Sequence, residues 1–422
     1  MRIKFHNGLK FFILAIAIGL FSVVFAKAVD IAFNLFLHLS ATLHYWLFIY
    51  IPCGFIAITY MVTRYYPEAA GSGIPQALAI EYIDNKRNLK AMFYPRIILS
   101  KFIAIVMGTM FGATIGREGP TIQIGATILS LGGTTPNLTQ HKILLKIGAA
   151  AGLAAAFNTP LGGIVFALEE LFKDSRLNLS LAKIAAIGTA GLVSVLIVGN
   201  NSYFGRVSRD ILFYIPYKIV PIAILIGIFS GILAAIFSRI VYYTTISQSS
   251  KYNLWKNNNP LLNAGLCGIL IAGLGLISHG LSFGNGYHES TRALAGIEHL
   301  PNLYVVYKML GSIISTCSGV PGGYFATSLS IGEGIGSLLY SIVNLAPIEQ
   351  YYLLGMVAFL AAMTQAPVTA ITMVLQITYS QVFLLPLMVA ALISTYIASL
   401  LDKGIYHHQI KKLIMGFNRP KT

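Results

Sequence analysis

Residues 116–125 read Gly-Arg-Glu-Gly-Pro-Thr-Ile-Gln-Ile-Gly, a glycine break that runs into an apolar pattern. Residues 323–332, Gly-Tyr-Phe-Ala-Thr-Ser-Leu-Ser-Ile-Gly, resemble this stretch and begin 207 positions later (323 − 116). Residues 155–168 contain Asn-Thr-Pro and residues 362–375 contain Gln-Ala-Pro, and the two prolines are again 207 positions apart (367 − 160). Two matches at one distance predict an internal duplication of the chain.

The composition is typical of a membrane protein. Of the 422 residues, 56% are hydrophobic and 10% are charged, whereas a soluble domain carries about 25% charged residues. Residues 350–401 contain no Asp, Glu, Lys or Arg, and at about 20 residues per span they suffice for two crossings. Further apolar stretches lie at residues 11–26, 31–62, 102–115, 147–168, 184–198, 219–237, 261–277 and 309–332. We predict an all-α polytopic membrane protein with roughly ten or more embedded helices, several too short or too glycine-rich to span the bilayer.

The net charge of +15 does not indicate nucleic-acid binding, because the basic residues lie at the ends of apolar segments. Lysines and arginines are concentrated in residues 2–10 and 403–421, so the positive-inside rule predicts that both termini are cytoplasmic. The three cysteines, Cys53, Cys267 and Cys317, have no CxxC spacing. Neither a disulfide framework nor a metal site is therefore predicted.

The N-terminus allows two interpretations. Residues 25–28, Phe-Ala-Lys-Ala, resemble a signal-peptide cleavage site. The apolar pattern resumes after Lys27 and Asp30, which favours one long first helix.

Duplicated halves are typical of transporters, which bind their cargo near the middle of the membrane where broken helices of the two halves meet. We predict a first half at residues 1–205 and a second half at residues 206–422, joined in the polar stretch 200–210. Residues 248–259 are predicted to form an exposed loop, and no soluble regulatory domain is expected after residue 403. The residues alone leave open whether the halves are parallel or inverted.

Glu118 is one of only two charged residues between Phe102 and Gln140; the other is Arg117. A carboxylate at hydrocarbon depth costs several kcal/mol unless it is compensated, so such a residue is a functional candidate. The alternative is a salt bridge on a loop, which the apolar flanks argue against. The neighbouring glycines and proline free backbone N–H groups that can hold an anion. The pattern predicts an anion pathway gated by a carboxylate that can take a proton.

Two further glycine breaks offer polar groups without charge. Residues 71–75, Gly-Ser-Gly-Ile-Pro, place a serine before a proline that suits the first turn of a helix; a serine-capped loop turn is the alternative. Residues 322–325, Gly-Gly-Tyr-Phe, offer the N–H groups of Tyr324 and Phe325 to an anion. Dipoles and hydroxyls of this kind bind an anion yet let it leave.

Three other features are ambiguous by position alone. Glu169 and Glu170 end an apolar run and are typical of a solvated helix end. Tyr406 is typical of an interface anchor. Glu333 lies in the second-half copy of the glycine-rich helix, where the sequence identifies no partner for it.

The motifs at 71–75 (GSGIP), 116–120 (GREGP) and 323–327 (GYFAT) occur in the order and spacing of the CLC family of chloride channels and proton–chloride antiporters, which this chain resembles over almost its whole length. The resemblance implies a homodimer in which each subunit has its own anion pore. It also implies two inverted halves with broken and re-entrant helices. The lack of a C-terminal regulatory region is similar to the compact prokaryotic members, which implies a bacterial inner membrane.

The resemblance also implies residue roles. Ser72 and Tyr406 match the hydroxyl groups that contact the central chloride. Tyr324 and Phe325 match the backbone donors at that site. Glu118 matches the gating glutamate, which occupies an outer anion site when ionised and swings away when protonated.

The flanking residues match as well. Arg117 and Gly119 flank the outer site, and Gly71 and Gly73 flank the inner one. Glu170 aligns with the internal proton-transfer glutamate of the exchangers, which favours proton-coupled exchange over a passive chloride channel; Glu169 is interpreted as structural.

Other matches concern selectivity and a departure from the family. The serine at position 72 favours chloride over nitrate and fluoride. Thr327 stands where the family has proline, and we expect it to cap the helix start. The ions are chloride and protons, with no cofactor.

A distant alternative is an intramembrane serine protease with Ser72 as nucleophile and His279 or His288 as base. These histidines belong to a glycine-rich stretch, residues 278–287 and the position after it, that is typical of a loop. We therefore predict a transporter and not an enzyme.

Overall fold

The computed structural model describes residues 5–132, 137–173, 180–199, 204, 207 and 218–418. Throughout these residues the regular structure is helical and no β-strand occurs. The helices of the first half are α1 (Phe5–Leu43), α2 (Leu47–Tyr65), α3 (Ile74–Leu78), α4 (Lys86–Met92), α5 (Arg96–Met110), α6 (Glu118–Ser130), α7 (Leu138–Ala156), α8 (Pro160–Phe166) and α9 (Leu181–Val198).

The second half follows the polar stretch around residue 205, and several of its helices lie 207 positions after helices of the first half. Its helices are α10 (Ile219–Val241), α11 (Lys251–Asn258), α12 (Pro260–Ile277), α13 (Tyr287–Leu294), α14 (Tyr304–Ser318), α15 (Phe325–Ile342), α16 (Ile348–Thr364), α17 (Pro367–Thr378), α18 (Leu384–Leu401) and α19 (Ile405–Asn418). Residues 205 and 206, where we place the boundary between the halves, lie outside the described residues, so that boundary stays a prediction.

Six helical segments of the described chain are long and apolar enough to cross a membrane. They are Leu9–Tyr65, Lys86–Met110, Leu181–Val198, Ile219–Ile246, Pro260–Ile277 and Gln381–Leu401. Helix α1 continues through Lys27 and Asp30 without a break, so the prediction of one long first helix is confirmed. The prediction of a loop at residues 248–259 was wrong, because Lys251–Asn258 is helical; Ser250 accepts a hydrogen bond from the Asn253 N–H (3.3 Å) and caps this helix.

Helices α6, α7, α15 and α16 lie inside the protein. Helix α6 packs on α7, and α15 packs on α16. At the first contact Gly125 meets Gly148, and at the second Gly332 meets Gly355. A Cβ at any of these positions would strike the backbone of the other helix, which is why small residues are needed where membrane helices approach closely.

The duplication predicted from the sequence is confirmed in detail. Asn158 and Gln365 are equivalent positions, and both adopt the left-handed conformation, with φ of 57° and 60°. Each precedes a short helix that begins at a proline, Pro160 in α8 and Pro367 in α17. An isolated antiparallel bridge joins Gly116 to Gly323, so the two equivalent segments run in opposite directions where they meet. The predicted all-α membrane fold with inverted halves and broken helices is therefore confirmed.

Candidate functional site

Three glycine breaks meet in the interior of the protein. A Cβ on Gly119 would lie 3.0 Å from the hydroxyl oxygen of Ser72 and 3.4 Å from the Cα of Gly323. A Cβ on Gly73 would collide with the carbonyl of Gly119. Because only glycine allows this approach, the starts of α3, α6 and α15 converge on one place.

Ser72 is buried and lies just before α3. Its hydroxyl oxygen accepts a hydrogen bond from the Ile74 N–H (3.3 Å), and the Gly73 N–H donates to the side-chain oxygen of Gln76 (2.9 Å). The ammonium group of Lys101, whose side chain is fully buried, donates to the Gly71 carbonyl (3.2 Å). Lys101 was not among the residues predicted from the sequence, although a lone lysine at the edge of an apolar run is a signal of function.

Glu118 is the first residue of α6 and has no exposed surface. Its carboxylate folds back over the preceding loop and lies against Gly116. A Cβ placed on Gly116 would strike Glu118 Oε2. A negative side chain at the N-terminus of its own helix interacts favourably with the helix dipole and with free N–H groups. Arg117 precedes it and is also buried. The structure thus places the gating candidate beside Gly119, at the convergence of the three helix starts.

Tyr324 and Phe325 mark the start of α15, the second-half equivalent of α6. The hydroxyl of Tyr324 accepts a hydrogen bond from the side chain of Gln409 in α19 (3.2 Å). Thr327 does not cap this helix as expected: its hydroxyl donates back to the Tyr324 carbonyl (3.0 Å). The reason is that Thr327 lies inside the first turn, where its hydroxyl reaches the carbonyl three residues earlier.

Tyr406 is the second residue of α19 and is buried, and within the described part of the chain its hydroxyl has no hydrogen-bond partner. The ring lies within electrostatic reach of Tyr324, Glu170 and Glu118. Both carboxylates identified from the sequence, Glu118 and Glu170, are therefore close enough to Tyr406 to act on its hydroxyl group.

A cavity of about 310 Å³ leads to this place from the side that carries α11 and α19. Ser72, Gly323 and Tyr324 line its inner end, and Lys256 and Lys412 line its mouth. Both ammonium groups donate to carbonyls of the π turn Tyr242–Ile246, Lys256 to Thr244 (2.9 Å) and Lys412 to Thr245 (2.5 Å). Burial lowers the pKa of Lys256 to about 8. Neither lysine was predicted from the sequence.

A second, polar cavity of about 190 Å³ contains Glu170. Tyr406 and His407 of α19 and Tyr82 also line it. Glu170 belongs to a π turn, Ala167–Leu171, that extends α8.

The neighbouring carboxylate of Glu169 points elsewhere. It accepts hydrogen bonds from the N–H groups of Val368 (3.0 Å) and Thr369 (2.6 Å), and so caps the start of α17. The two adjacent glutamates thus have different surroundings: Glu169 caps a helix start, and Glu170 lines a cavity.

The remaining candidates lie away from this site. Glu333 is fully buried in α15, where it accepts a hydrogen bond from the Ser290 hydroxyl. The ring of His288 stacks on Phe33 with centroids 5.5 Å apart. Neither His288 nor His279 lines the cavity that contains Ser72, so the arrangement needed by a serine protease is not formed among these residues.

The chain is similar to known membrane transport proteins. A family model described as voltage gated chloride channel matches residues 53–399. Over 417 aligned residues the chain is 31% identical to the H(+)/Cl(−) exchange transporter ClcA of Citrobacter koseri, with 92% of this chain and 84% of that protein covered. The crystal structure of a slow cyanobacterial Cl−/H+ antiporter superposes with a TM-score of 0.80 at 23% identity, covering 99% of this chain and 100% of that one. A CLC-type fluoride/proton antiporter gives a TM-score of 0.80 at 20% identity, covering 97% and 99%.

Proposed function

This chain belongs to the voltage gated chloride channel family, the CLC family, and we propose that it exchanges chloride for protons across a membrane. The observation that carries the proposal is that Tyr406, whose buried hydroxyl has no hydrogen-bond partner within the described residues, is within electrostatic reach of two carboxylates, the buried Glu118 and the half-buried Glu170. A passive chloride channel is the alternative; it needs no second carboxylate on the inner side. The relatives are named as transporters, in agreement with a function that is not enzymatic. The proposed exchange uses chloride and protons and no cofactor.

Chloride is held, in this proposal, where α3, α6 and α15 converge. The hydroxyl groups of Ser72 and Tyr406 donate to it from two sides, and the N–H groups of Tyr324 and Phe325 donate from the start of α15. Gly71 and Gly73 shape the inner side, and Gly119 allows the close approach. Such a site stabilises the anion with dipoles and leaves it free to move on.

Glu118 competes with chloride for the outer part of this site, next to Arg117 and Gly119. When ionised, its carboxylate acts as a tethered anion at the N-terminus of α6. When protonated, it loses this attraction and chloride enters. Bound chloride in turn raises the proton affinity of Glu118, because like charges disfavour the ionised form. This reciprocity couples the two fluxes.

Glu170 is the inner end of the proton path. Its cavity is separate from the one that leads to Ser72, which supports different routes for the two ions on the inner side. The expected net reaction is the movement of chloride in one direction and protons in the other.

We also propose a homodimer in the lipid bilayer, with each subunit carrying its own pore. Helices α9 and α18 are long and apolar, yet Leu196 and Leu385 are 81% and 72% exposed. Tryptophan at Leu196, compared with tryptophan at the exposed Leu270 of α12, tests this interface by cross-linking in liposomes. Loss of the cross-linked dimer with Leu196→Trp alone supports it; an unchanged dimer with both variants refutes it. Cytoplasmic termini and a bacterial inner membrane complete the proposed topology.

The test of exchange is to reconstitute the purified protein in liposomes, impose a chloride gradient and record both ions. Uphill proton movement is the expected result; chloride flux without it leaves the channel. Glu118→Ala is expected to conduct chloride with little dependence on pH. Glu170→Gln is expected to keep chloride flux and lose proton movement, while the matched variant Glu169→Gln keeps both. Proton pumping by Glu170→Gln would remove Glu170 from the path.

A further inference from the structure

Helix α19 separates the two cavities of the inner side. Gln409 and Lys412 line the 310 Å³ cavity of the chloride route. Tyr406 and His407 line the 190 Å³ cavity that contains Glu170. Gln409 and Lys412 are three residues apart and share a face of α19, whereas His407, two residues before Gln409, lies on a different face. The face with Lys412 therefore borders the anion route, and the face with His407 borders the Glu170 cavity.

His407 connects the Glu170 cavity with water. Its side chain is exposed, whereas that of Tyr406 beside it is buried. Imidazole is the side chain that binds and releases protons near neutral pH. Partial burial, together with His408, Lys403 and Lys411, lowers the pKa of His407 below its ordinary value. A pKa below the ordinary value leaves the ring largely neutral at pH 7, so it is available to accept a proton and pass it on.

We propose that His407 is the residue that exchanges protons between the water on the inner side and Glu170. This inference rests on the proposed function, in which Glu170 is the inner end of the proton path. When protons move from the inner side to the outer side, a ring nitrogen of His407 takes a proton from a hydronium ion, which becomes a water molecule. The imidazolium then gives this proton to the carboxylate of Glu170 through the cavity. The products are a neutral imidazole and a carboxylic acid, and the opposite flux is the same step reversed.

The charges around the cavity support a brief stay of the proton on His407. Glu170 and Lys173 follow α8, Tyr82 follows α3, Asp402 and Lys403 precede α19, and His408 and Lys411 lie on α19 itself. The end of α16 contributes only the uncharged Thr364 and Gln365. His408, Lys403 and Lys411 disfavour the imidazolium and outweigh the opposing effect of Asp402, so the proton moves on to the carboxylate of Glu170.

The test compares His407→Gln with His408→Gln in liposomes under a chloride gradient. His408 is a matched control because it is the adjacent imidazole, donates a hydrogen bond to Asp402 (3.1 Å), and does not line the Glu170 cavity. We expect His407→Gln to lower the proton-to-chloride flux ratio by about threefold or more, with chloride flux retained. His408→Gln is expected to keep the wild-type ratio.

Added imidazole distinguishes a proton relay from a structural role of His407, because free imidazole can carry protons but cannot restore a lost packing contact. Imidazole on both sides is expected to restore the ratio of His407→Gln and to leave Glu170→Gln without proton movement. His407→Asn serves as a second variant in case the glutamine variant elutes as an aggregate. An unchanged ratio in both His407 variants, or no rescue by imidazole, overturns the inference alone. Wild-type protein that moves no protons uphill overturns the proposed function and this inference with it.

Discussion

Gly116 and Gly323 exchange both of their backbone hydrogen bonds: the Gly116 N–H donates to the Gly323 carbonyl (2.9 Å), and the Gly323 N–H donates to the Gly116 carbonyl (2.8 Å). The two residues are equivalent positions of the duplicated halves, 207 apart. A reciprocal pair of equivalent residues lies on the axis that relates the halves. The helices that begin just after them, α6 and α15, therefore direct their N-termini at the same region from two sides, which is where an anion is best stabilised.

We expect Gly323→Ala to destabilise the protein and to impair chloride transport. The added Cβ would lie 3.0 Å from the Gly119 nitrogen and 3.1 Å from the Gly116 oxygen, and these backbone atoms cannot yield as a flexible side chain does. Forced overpacking costs about 1–3 kcal/mol. The thermal midpoint in detergent and chloride flux in liposomes measure the two effects.

Gly416→Ala is the matched control for this substitution, because a Cβ there meets nothing within 4 Å. We expect it to leave both measurements at wild-type values. Equal stability of Gly323→Ala and Gly416→Ala would show that the bridge tolerates a methyl group and that the two halves are not held this closely.

Tyr406→Phe is expected to weaken chloride binding without weakening the fold. The hydroxyl of Tyr406 is buried and, in the described part of the structure, has no protein partner, so its removal breaks no internal hydrogen bond. A hydrogen bond to an anion contributes about 1 kcal/mol or more, which is about a fivefold loss of affinity. Calorimetric titration with chloride measures the affinity, and thermal unfolding without chloride measures the stability. An unchanged affinity would place the anion away from Tyr406.

Much of this architecture was predictable from one sequence, because glycine breaks and a constant spacing of 207 residues report directly on backbone geometry. The spacing also contained information that the sequence analysis did not use: Lys101 and Lys308 are 207 apart, both are fully buried, and both donate to carbonyls of glycine-rich turns. Helix α11 was mistaken for a loop because most of its eight residues are polar, and a short, mostly polar helix has no apolar period to detect. Lys256 and Lys412 could not be assigned to a cavity, since only the tertiary fold brings α11 and α19 to one mouth.

Glu169 and Gln376 are expected to stabilise the protein in the same way, by capping a helix start in the other half. Glu169 accepts from the Thr369 N–H in the second half, and Gln376 accepts from the equivalent Gly162 N–H in the first half (2.8 Å). Each half thus caps a helix of the other. Replacing such a cap with alanine costs about 1–2 kcal/mol, and we expect the larger loss for Glu169→Ala because its hydrogen bonds are charge-assisted.

Thermal unfolding of Glu169→Ala, Gln376→Ala and the conservative Glu169→Gln in detergent checks this. Glu169→Gln retains an acceptor oxygen and is expected to fall between the wild type and Glu169→Ala. If Glu169→Ala unfolds at the wild-type temperature, the Glu169 carboxylate is solvated, and capping of a helix in the other half does not contribute to stability.

The inner cavity is expected to collect chloride less effectively as the pH rises above 8. Burial depresses the pKa of Lys256 to about 8, so the ammonium is largely charged at pH 7 and largely neutral at pH 9. A positive group at the mouth attracts the anion, and its loss reduces chloride flux by about threefold at moderate ionic strength. Flux is measured in liposomes with equal pH on both sides, in the Glu118→Ala background, where no proton is expected to be needed at the gate.

Lys256→Arg separates this effect from every other titration in the protein. The guanidinium stays charged throughout this pH range, so the double variant Glu118→Ala/Lys256→Arg is expected to lose most of the decline between pH 7 and pH 9. Burial also lowers the pKa of Lys412, so this residue accounts for any decline of chloride flux that remains. Adding Lys412→Arg to the double variant is expected to remove that decline. Chloride flux is compared in Glu118→Ala, in the double variant and in the triple variant. An arginine that stays charged should remove the decline of flux with pH if the mouth charges govern chloride entry. An equal decline between pH 7 and pH 9 in all three variants therefore shows that these charges do not govern it.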